Sequence, residues 1–258
     1  MKIFETHTHY DDSAFDEDRE QLIEEMLGAE GIVDYIVNVG ASLRGCRASV
    51  ELASKYDRIY AAVGVHPEDI EALNEKEYEW LKNTALTNPK VVAIGEIGLD
   101  YHYTEPSKEL QRECFRRQLA LALEVKKPLI IHSRDACADT LECMKREHAQ
   151  QVGGIVHCYS YTKEAARDFL NMGLHFGIGG VITFKNAKKL VEAVEYIPMD
   201  RIVLETDCPY LSPEPFRGKR NDSRNIYYVA QKIAELKGLS YQEVVDITHE
   251  NAKRLFGI

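Results

Sequence analysis

The chain begins Met1-Lys2-Ile3-Phe4-Glu5-Thr6-His7-Thr8-His9, and this stretch predicts a buried strand, Ile3–His7, that leads into a pair of histidines. Side chains two residues apart in an extended strand point to the same face, so His7 and His9 converge where the strand ends. Two neutral imidazole nitrogens directed at one point suit a divalent metal ion. A pair of histidines is also compatible with a surface or a core position, so the remaining strand ends decide between these interpretations.

Short runs rich in Val and Ile alternate with longer amphipathic stretches along the whole chain, which is typical of repeated βα units. The predicted strands are Ile3–His7, Asp34–Val39, Ile59–Val63, Val91–Ile94, Pro128–His132, Gly154–His157, Leu174–Gly177 and Arg201–Glu205. The predicted helices between them are Asp16–Gly28, Leu43–Tyr56, Tyr78–Thr87, Ser107–Val125, Ala136–His148, Lys163–Asn171, Lys188–Tyr196 and Arg224–Lys237.

Eight strands and eight helices in 258 residues favour an α/β fold, a closed (β/α)8 TIM barrel formed by a single domain over residues 1–258. A doubly wound open sheet is the alternative, but no glycine-rich dinucleotide-binding loop follows the first strand. A further helix, Ser240 to Phe256, is predicted to pack as a C-terminal addition. Ser240 would be its N-cap, and Glu243 would complete a capping box.

The composition restricts the classes of function. The formal net charge of −10 argues against tight non-specific binding to long polyanions, because such binding rests on many neutralised phosphates. One basic segment, Arg217-Gly218-Lys219-Arg220 with the nearby Arg224, departs from this average and either faces a negatively charged ligand or is a solvated loop. The six cysteines are scattered, and there is neither a long apolar stretch nor a targeting pattern, so we expect a cytoplasmic protein without a membrane segment.

Polar side chains collect at the predicted strand ends, where the active sites of barrel enzymes are assembled. They are His7, His9, His66, Glu96, His132, His157 and Asp207. Leaving this many imidazoles and carboxylates unpaired in a barrel core would cost several kcal/mol, so we expect a metal site. The donors exceed the roughly three that one catalytic zinc ion needs, which favours two divalent ions. Glu96 is the natural bridge, with His7 and His9 on one side and His132 and His157 on the other, and a pair of ions about 3.5–4 Å apart is typical of hydrolytic chemistry.

The chain resembles the TatD family of metal-dependent hydrolases, in the amidohydrolase superfamily of distorted (β/α)8 barrels. The resemblance covers essentially the whole chain. It rests on these motifs: His7-Thr8-His9, Gly64-Val65-His66-Pro67, Gly95-Glu96-Ile97-Gly98-Leu99-Asp100-Tyr101, Ile131-His132-Ser133-Arg134-Asp135-Ala136, His157-Cys158-Tyr159-Ser160, Leu204-Glu205-Thr206-Asp207-Cys208-Pro209-Tyr210-Leu211 and Asn251-Ala252-Lys253-Arg254-Leu255-Phe256.

The resemblance implies one ion held by His7, His9, Glu96 and Asp207, and a second held by Glu96, His132 and His157. It also implies metal-dependent removal of nucleotides from DNA ends, with DNA as the partner. The chain departs from the family at Glu5, where Asp is usual, and at Asn221-Asp222-Ser223, which replaces the usual Asn-Glu-Pro after Gly218-Lys219-Arg220.

Further candidates surround the predicted ligands. Asp207 and Glu96 are expected to act in catalysis, and His66 either transfers a proton, donates a hydrogen bond to phosphate, or only belongs to a rigid turn beside Pro67. Arg134 either binds phosphate, is solvated or pairs with Asp135, and Arg217, Lys219 and Arg220 are candidate substrate contacts.

Other side chains carry open alternatives. Tyr101, Tyr159 and Tyr210 either stack on a nucleobase or pack against the site. Glu205 either orients a ligand, orients the basic segment or is structural.

We therefore predict a two-metal deoxyribonuclease, a monomer or weak homo-oligomer, that uses Zn, Mn or Mg. An ester or amide hydrolase, such as a D-aminoacyl-tRNA deacylase, is the alternative, because the same chemistry attacks a carbonyl carbon. A non-catalytic metal-binding protein is a third possibility, but it would give Asp207 and the open metal positions no purpose.

Overall fold

Eight parallel strands pair in sequence order and close into a barrel in the computed structural model, which describes residues 1–258. This confirms the predicted (β/α)8 barrel. The strands are β1 (Ile3–Thr8), β2 (Val33–Val39), β3 (Ile59–Val63), β4 (Val91–Asp100), β5 (Leu129–Arg134), β6 (Gly154–Val156), β7 (His175–Ile178) and β8 (Ile202–Leu204). β1 pairs with both β2 and β8, so the first and last strands are neighbours.

Eight helices follow the eight strands, and a ninth ends the chain. They are α1 (Arg19–Leu27), α2 (Leu43–Lys55), α3 (Glu75–Thr87), α4 (Lys108–Val125), α5 (Cys137–Arg146), α6 (Lys163–Leu170), α7 (Lys188–Tyr196), α8 (Ile226–Lys237) and α9 (Tyr241–Phe256). No helix combines the length and the apolar character that crossing a bilayer requires.

The main difference from the predicted boundaries is at β4, which continues to Asp100 although the sequence predicts an end at Ile94. The residues beyond Ile94 read as a turn because they include Gly95 and Gly98. In the structure Gly98 pairs with His132 of β5, and a Cβ atom on Gly98 would lie 1.8 Å from the His132 carbonyl oxygen. Glycine therefore permits close contact between β4 and β5 and extends the strand.

Two helix starts differ from the predicted ones by three residues. Residues Ser13–Phe15 form a short 3-10 turn, so α1 begins at Arg19 and not at Asp16. α3 begins at Glu75, three residues before the predicted Tyr78, because the Asn74 side chain accepts a hydrogen bond from the backbone N–H of Glu77 and caps the helix.

The C-terminal helix α9 covers the amino-terminal end of the barrel. Ser240 and Glu243 form the predicted capping box. The Asn251 side chain donates hydrogen bonds of 2.8 Å to the carbonyls of Met199 and Ile202, at the start of β8. Phe256 packs against Phe4 inside the barrel, with ring centroids 5.8 Å apart. This end of the barrel is closed, so the opposite, carboxyl end is left for the site.

Candidate metal centre

The ends of β1 and β8 are connected by hydrogen bonds. The buried Glu5 carboxylate accepts from the backbone N–H groups of His7 at 3.2 Å and Thr206 at 3.0 Å. The backbone N–H of Asp207 donates to the His7 carbonyl at 3.0 Å. These contacts place the Asp207 side chain beside His7 and His9.

One half of the site consists of two imidazoles facing two carboxylates. His9 Nε2 lies 3.2 Å from Asp207 Oδ1 and 3.7 Å from Glu96 Oε2. His7 Nε2 lies 3.6 Å from Glu96 Oε2 and 3.7 Å from Asp207 Oδ1. The two Nε2 atoms are 3.2 Å apart. Four donor atoms therefore converge on one small volume.

The other half of the site lies on the opposite oxygen of Glu96. His132 Nδ1 is 2.8 Å and His157 Nε2 is 3.1 Å from Glu96 Oε1. Glu96 thus presents a different oxygen atom to each of two histidine pairs. The His7 and His157 rings stack at 3.8 Å and join the two halves.

The hydrogen bonding of His9 leaves Nε2 as the ring nitrogen that can bind a cation in the first half. Its Nδ1 is 2.8 Å from the Val39 carbonyl oxygen, which can only accept, so Nδ1 carries a proton, and in the neutral ring Nε2 has the lone pair. The Nε2 lone pair then faces the Asp207 carboxylate. A bound cation would take the place of an Nε2 proton between these atoms, and imidazole with carboxylate is a donor set typical of Zn or Mn.

The imidazoles and carboxylates stabilise each other's charged forms. Burial lowers the pKa of His9, but Asp207 and Glu96 outweigh burial and raise it to about 9. Burial likewise raises the pKa of Glu96, yet His157, His132 and His7 hold it well below its ordinary range. The protein therefore stabilises positive charge beside these carboxylates, as a cation site does.

His66 follows β3 and lies at the edge of the cluster, with Nε2 3.9 Å from Glu96 Oε1. Its Nδ1 accepts a hydrogen bond of 3.3 Å from the backbone N–H of Glu68, so the neutral ring carries its proton on Nε2. Burial lowers the pKa of His66 to about 4. His66 is therefore a neutral hydrogen-bond donor at neutral pH.

Two buried carboxylates contact His157 and His132 on the ring nitrogens that do not face Glu96. Glu205 Oε1 is 3.3 Å from His157 Nδ1, and the sequence had left its role open. Asp100 Oδ2 is 3.0 Å from His132 Nε2, and sequence reasoning gave Asp100 no role. The sequence predicts that β4 ends at Ile94, and a strand of that length does not place Asp100 beside β5. The contact between Asp100 and His132 therefore could not be predicted.

A cavity of about 590 Å³ opens above the cluster. Arg134 and Tyr210 line it, and so does Tyr103, which the sequence had not singled out. Arg134 lies 3.9 Å from Asp100, not paired with Asp135. Of the other tyrosines, Tyr159 is buried, and Tyr101 donates a hydrogen bond to Asp139.

The basic segment lies outside this cavity lining. Arg217 stacks on Phe184, Lys219 lies over Phe216, and Arg220 pairs with Asp18 at 2.6 Å. Substrate contact by Arg217, Lys219 and Arg220 stays a prediction.

A (β/α)8 barrel with clustered histidines and carboxylates at its carboxyl end defines the class of metal-dependent hydrolases. The chain belongs to the family of TatD-related DNases, whose family model matches residues 4–257.

Known relatives match this chain in sequence or structure over nearly its full length. The chain is 47% identical over 256 residues to the uncharacterized metal-dependent hydrolase YabD of Bacillus subtilis, covering 99% of both chains. It is 36% identical over 263 residues to the uncharacterized metal-dependent hydrolase YcfH of Escherichia coli K12, covering 100% of this chain and 97% of that one. The crystal structure of YJJV, a TatD homologue from E. coli K12, superimposes with a TM-score of 0.92 at 30% identity, covering 99% of this chain and 98% of that chain.

Proposed function

We propose that this chain is a two-metal deoxyribonuclease that cleaves phosphodiester bonds at DNA ends. The observation that supports it most directly is the placement of Glu96, whose Oε2 faces His7 and His9 while its Oε1 faces His132 and His157. One carboxylate between two histidine pairs is the arrangement expected of a site that shares a ligand between two ions. The family's description as TatD-related DNases supports DNA as the substrate.

His7, His9, Asp207 and Glu96 would hold one divalent ion, and Glu96, His132 and His157 would hold the other. Bound ions of this kind supply Lewis-acid polarisation of the scissile group. The donors themselves are held in place by the barrel, because every one of them lies in a strand or within three residues of a strand end.

Asp207 is proposed to accept the proton of the attacking water. Its carboxylate is only partly exposed and lines the cavity, and Oδ1 is directed at His9. The cluster's histidines keep it ionised, since His9, His157 and His7 outweigh burial and lower the pKa of Asp207. An ionised carboxylate at the cavity wall can take up a proton during attack.

His66 and Arg134 are proposed to bind the phosphate. His66 presents Nε2–H toward the cavity as a neutral donor, which fits hydrogen bonding to a phosphate oxygen better than removal of a proton. Arg134 is half-exposed on the cavity wall, where its guanidinium can form two parallel hydrogen bonds with phosphate. Arg217, Lys219 and Arg220 would contact a longer strand beyond the cavity.

The test is hydrolysis of end-labelled linear single-stranded DNA, the same strand circularised, a phosphodiester reporter, and a small ester, each with added Mn, Mg or Zn. We expect metal-dependent loss of nucleotides from the linear strand, while the circle stays intact. The His9→Ala variant controls for contaminating nucleases. Hydrolysis of the ester without any cleavage of DNA would contradict the proposal and favour an ester or amide hydrolase. Cleavage of the circle would contradict the requirement for ends.

A further inference from the structure

Asp100, at the last position of β4, is a buried acid whose two oxygens have separate partners. Oδ1 accepts a hydrogen bond of 2.9 Å from the backbone N–H of His102. Oδ2 lies 3.0 Å from His132 Nε2. Only 2% of the residue is exposed.

The position of Asp100 is fixed from the neighbouring helix. Its backbone N–H donates to Gln111 Oε1 of α4 at 2.9 Å, and Gln111 Nε2 donates to the Pro106 carbonyl at 2.9 Å. The side chain of Gln111 is itself buried. Asp100 is therefore a preorganised acceptor and not a mobile acid at the cavity rim.

The hydrogen bond between Asp100 and His132 determines which nitrogen of His132 is free. An ionised carboxylate can only accept, so His132 Nε2 carries a proton, and in the neutral ring the lone pair is on Nδ1. That lone pair is directed at Glu96 Oε1, 2.8 Å away. A bound cation would take the place of a second ring proton between Nδ1 and this oxygen, and His157 Nε2 lies 3.1 Å from the same oxygen.

We propose that Asp100 is a positioning residue, which holds His132 as the Nε2–H tautomer and directs Nδ1 at the ion shared with Glu96 and His157. Carboxylates that accept from ligating histidines fix the orientation of the ring and raise its basicity. The proposal rests on the two-ion site of the proposed function.

His66, Asp100 and His132 also lie close enough together to suggest a separate cation site. The hydrogen bonding excludes it, because His66 Nδ1 accepts from Glu68 and its Nε2 therefore carries a proton. Arg134 Nη1, at 3.9 Å from Asp100 Oδ2, already supplies a positive charge.

The experiment measures the affinity for each of two Zn²⁺ or Co²⁺ ions by equilibrium dialysis, without substrate, in wild type, Asp100→Ala, Asp100→Asn and Asp135→Asn. Asp135 is the matched control, because its exposed carboxylate lies 3.6 Å from His102 Nδ1 and outside the cavity lining. We expect Asp100→Ala to lose about 10–100-fold in affinity for one ion only. Asp100→Asn is isosteric but offers one acceptor oxygen in place of two, so a loss for the same ion is expected there also. Asp135→Asn should bind both ions as wild type does.

A second readout separates positioning from general destabilisation. In the Zn²⁺-loaded wild type, ¹⁵N NMR should show His132 protonated at Nε2, and the Nε2 proton should exchange with solvent faster in Asp100→Asn. Wild-type affinity for both ions in a folded Asp100 variant, equal weakening of both ions, or a His132 proton on Nδ1 would overturn the proposal. If Asp100→Ala does not fold, Asp100→Asn gives the result. Wild-type stoichiometry tests the two-ion proposal, whereas the ratio of variant to wild-type affinity tests Asp100.

Discussion

Asp207 illustrates how the backbone and the side chain of one residue serve the site together. Its backbone is in the left-handed region, with φ 58°, and its N–H is bonded to the His7 carbonyl. Asn adopts this conformation about as readily as Asp, so Asp207→Asn keeps the geometry while removing the proton acceptor.

We expect Asp207→Asn to lower kcat by about 10²–10⁴-fold with only a modest fall in metal content, because general-base transfer contributes by that order. Steady-state kinetics on DNA together with metal analysis checks this. Asp69→Asn, at an exposed acid on the same cavity wall, is the control and should keep its kcat. Near-full kcat in Asp207→Asn with both ions bound would leave Asp207 as a ligand only.

Sequence reasoning identifies residues such as His7, His9 and Glu96 because their spacing and strand-end positions carry the signal. It gives no role to Asp100, whose contact with His132 depends on the register between β4 and β5. It also cannot show that Arg220 pairs with Asp18, since the two positions are 202 residues apart in the chain. Contacts between distant segments follow from the closed barrel and not from local pattern.

Among the elements, β7 carries a histidine that has no part in the site. His175 lies at the start of β7, toward the closed end of the barrel, and is buried with Nδ1 unpaired. Burial, with Arg201 and Arg254 nearby, lowers its pKa from 6.5 to about 4. As pH falls, the unfolded chain takes up this proton first, so the folded state is favoured above pH 6.5 and loses stability between pH 6.5 and about 4.

Replacing His175 with Leu should remove this part of the acid sensitivity. The difference in free energy of unfolding between pH 7 and pH 4 should be about 3 kcal/mol smaller in His175→Leu than in wild type. Urea unfolding at a series of pH values measures it. His148→Asn alters an exposed histidine and should leave the pH dependence unchanged. An identical pH dependence in His175→Leu and wild type would show that His175 is not held neutral.

The period of the apolar pattern predicts the eight strands and nine helices well, since buried parallel strands are short apolar runs and surface helices are amphipathic. It fails at the end of β4, because Gly95 and Gly98 have the composition of a turn. The hydrogen bonding of β4 to β5 from Ile97 to Asp100 overrides that local preference.

The whole molecule is acidic, with a formal net charge of −10, and it has its candidate metal centre at one end of the barrel and a basic segment outside the cavity. If the chain acts on DNA as proposed, a protein of this charge needs local cations to attract the polyanion. Neutralising Arg217, Lys219 and Arg220 together should raise KM for DNA and reduce the salt slope of binding by about 2–3 units, if each contacts one phosphate.

Hydrolysis of a small uncharged ester should be unchanged in the triple variant, which is the internal control. Neutralising the exposed Lys76, Lys145 and Lys189, which lie outside the cavity lining and the basic segment, changes the net charge equally and should have little effect on KM. Equal losses on DNA and ester would show that the basic segment is structural.

The central claim is that one carboxylate, Glu96, joins two ions, and metal analysis of Glu96→Gln tests it most directly. After dialysis against a weak chelator, the wild type should retain two divalent ions per chain, and Glu96→Gln should lose affinity for both together, because only Glu96 contacts both histidine pairs. Glu68→Gln, on the same cavity wall, should retain both ions. A Glu96→Gln protein that keeps either ion at wild-type affinity would contradict the account.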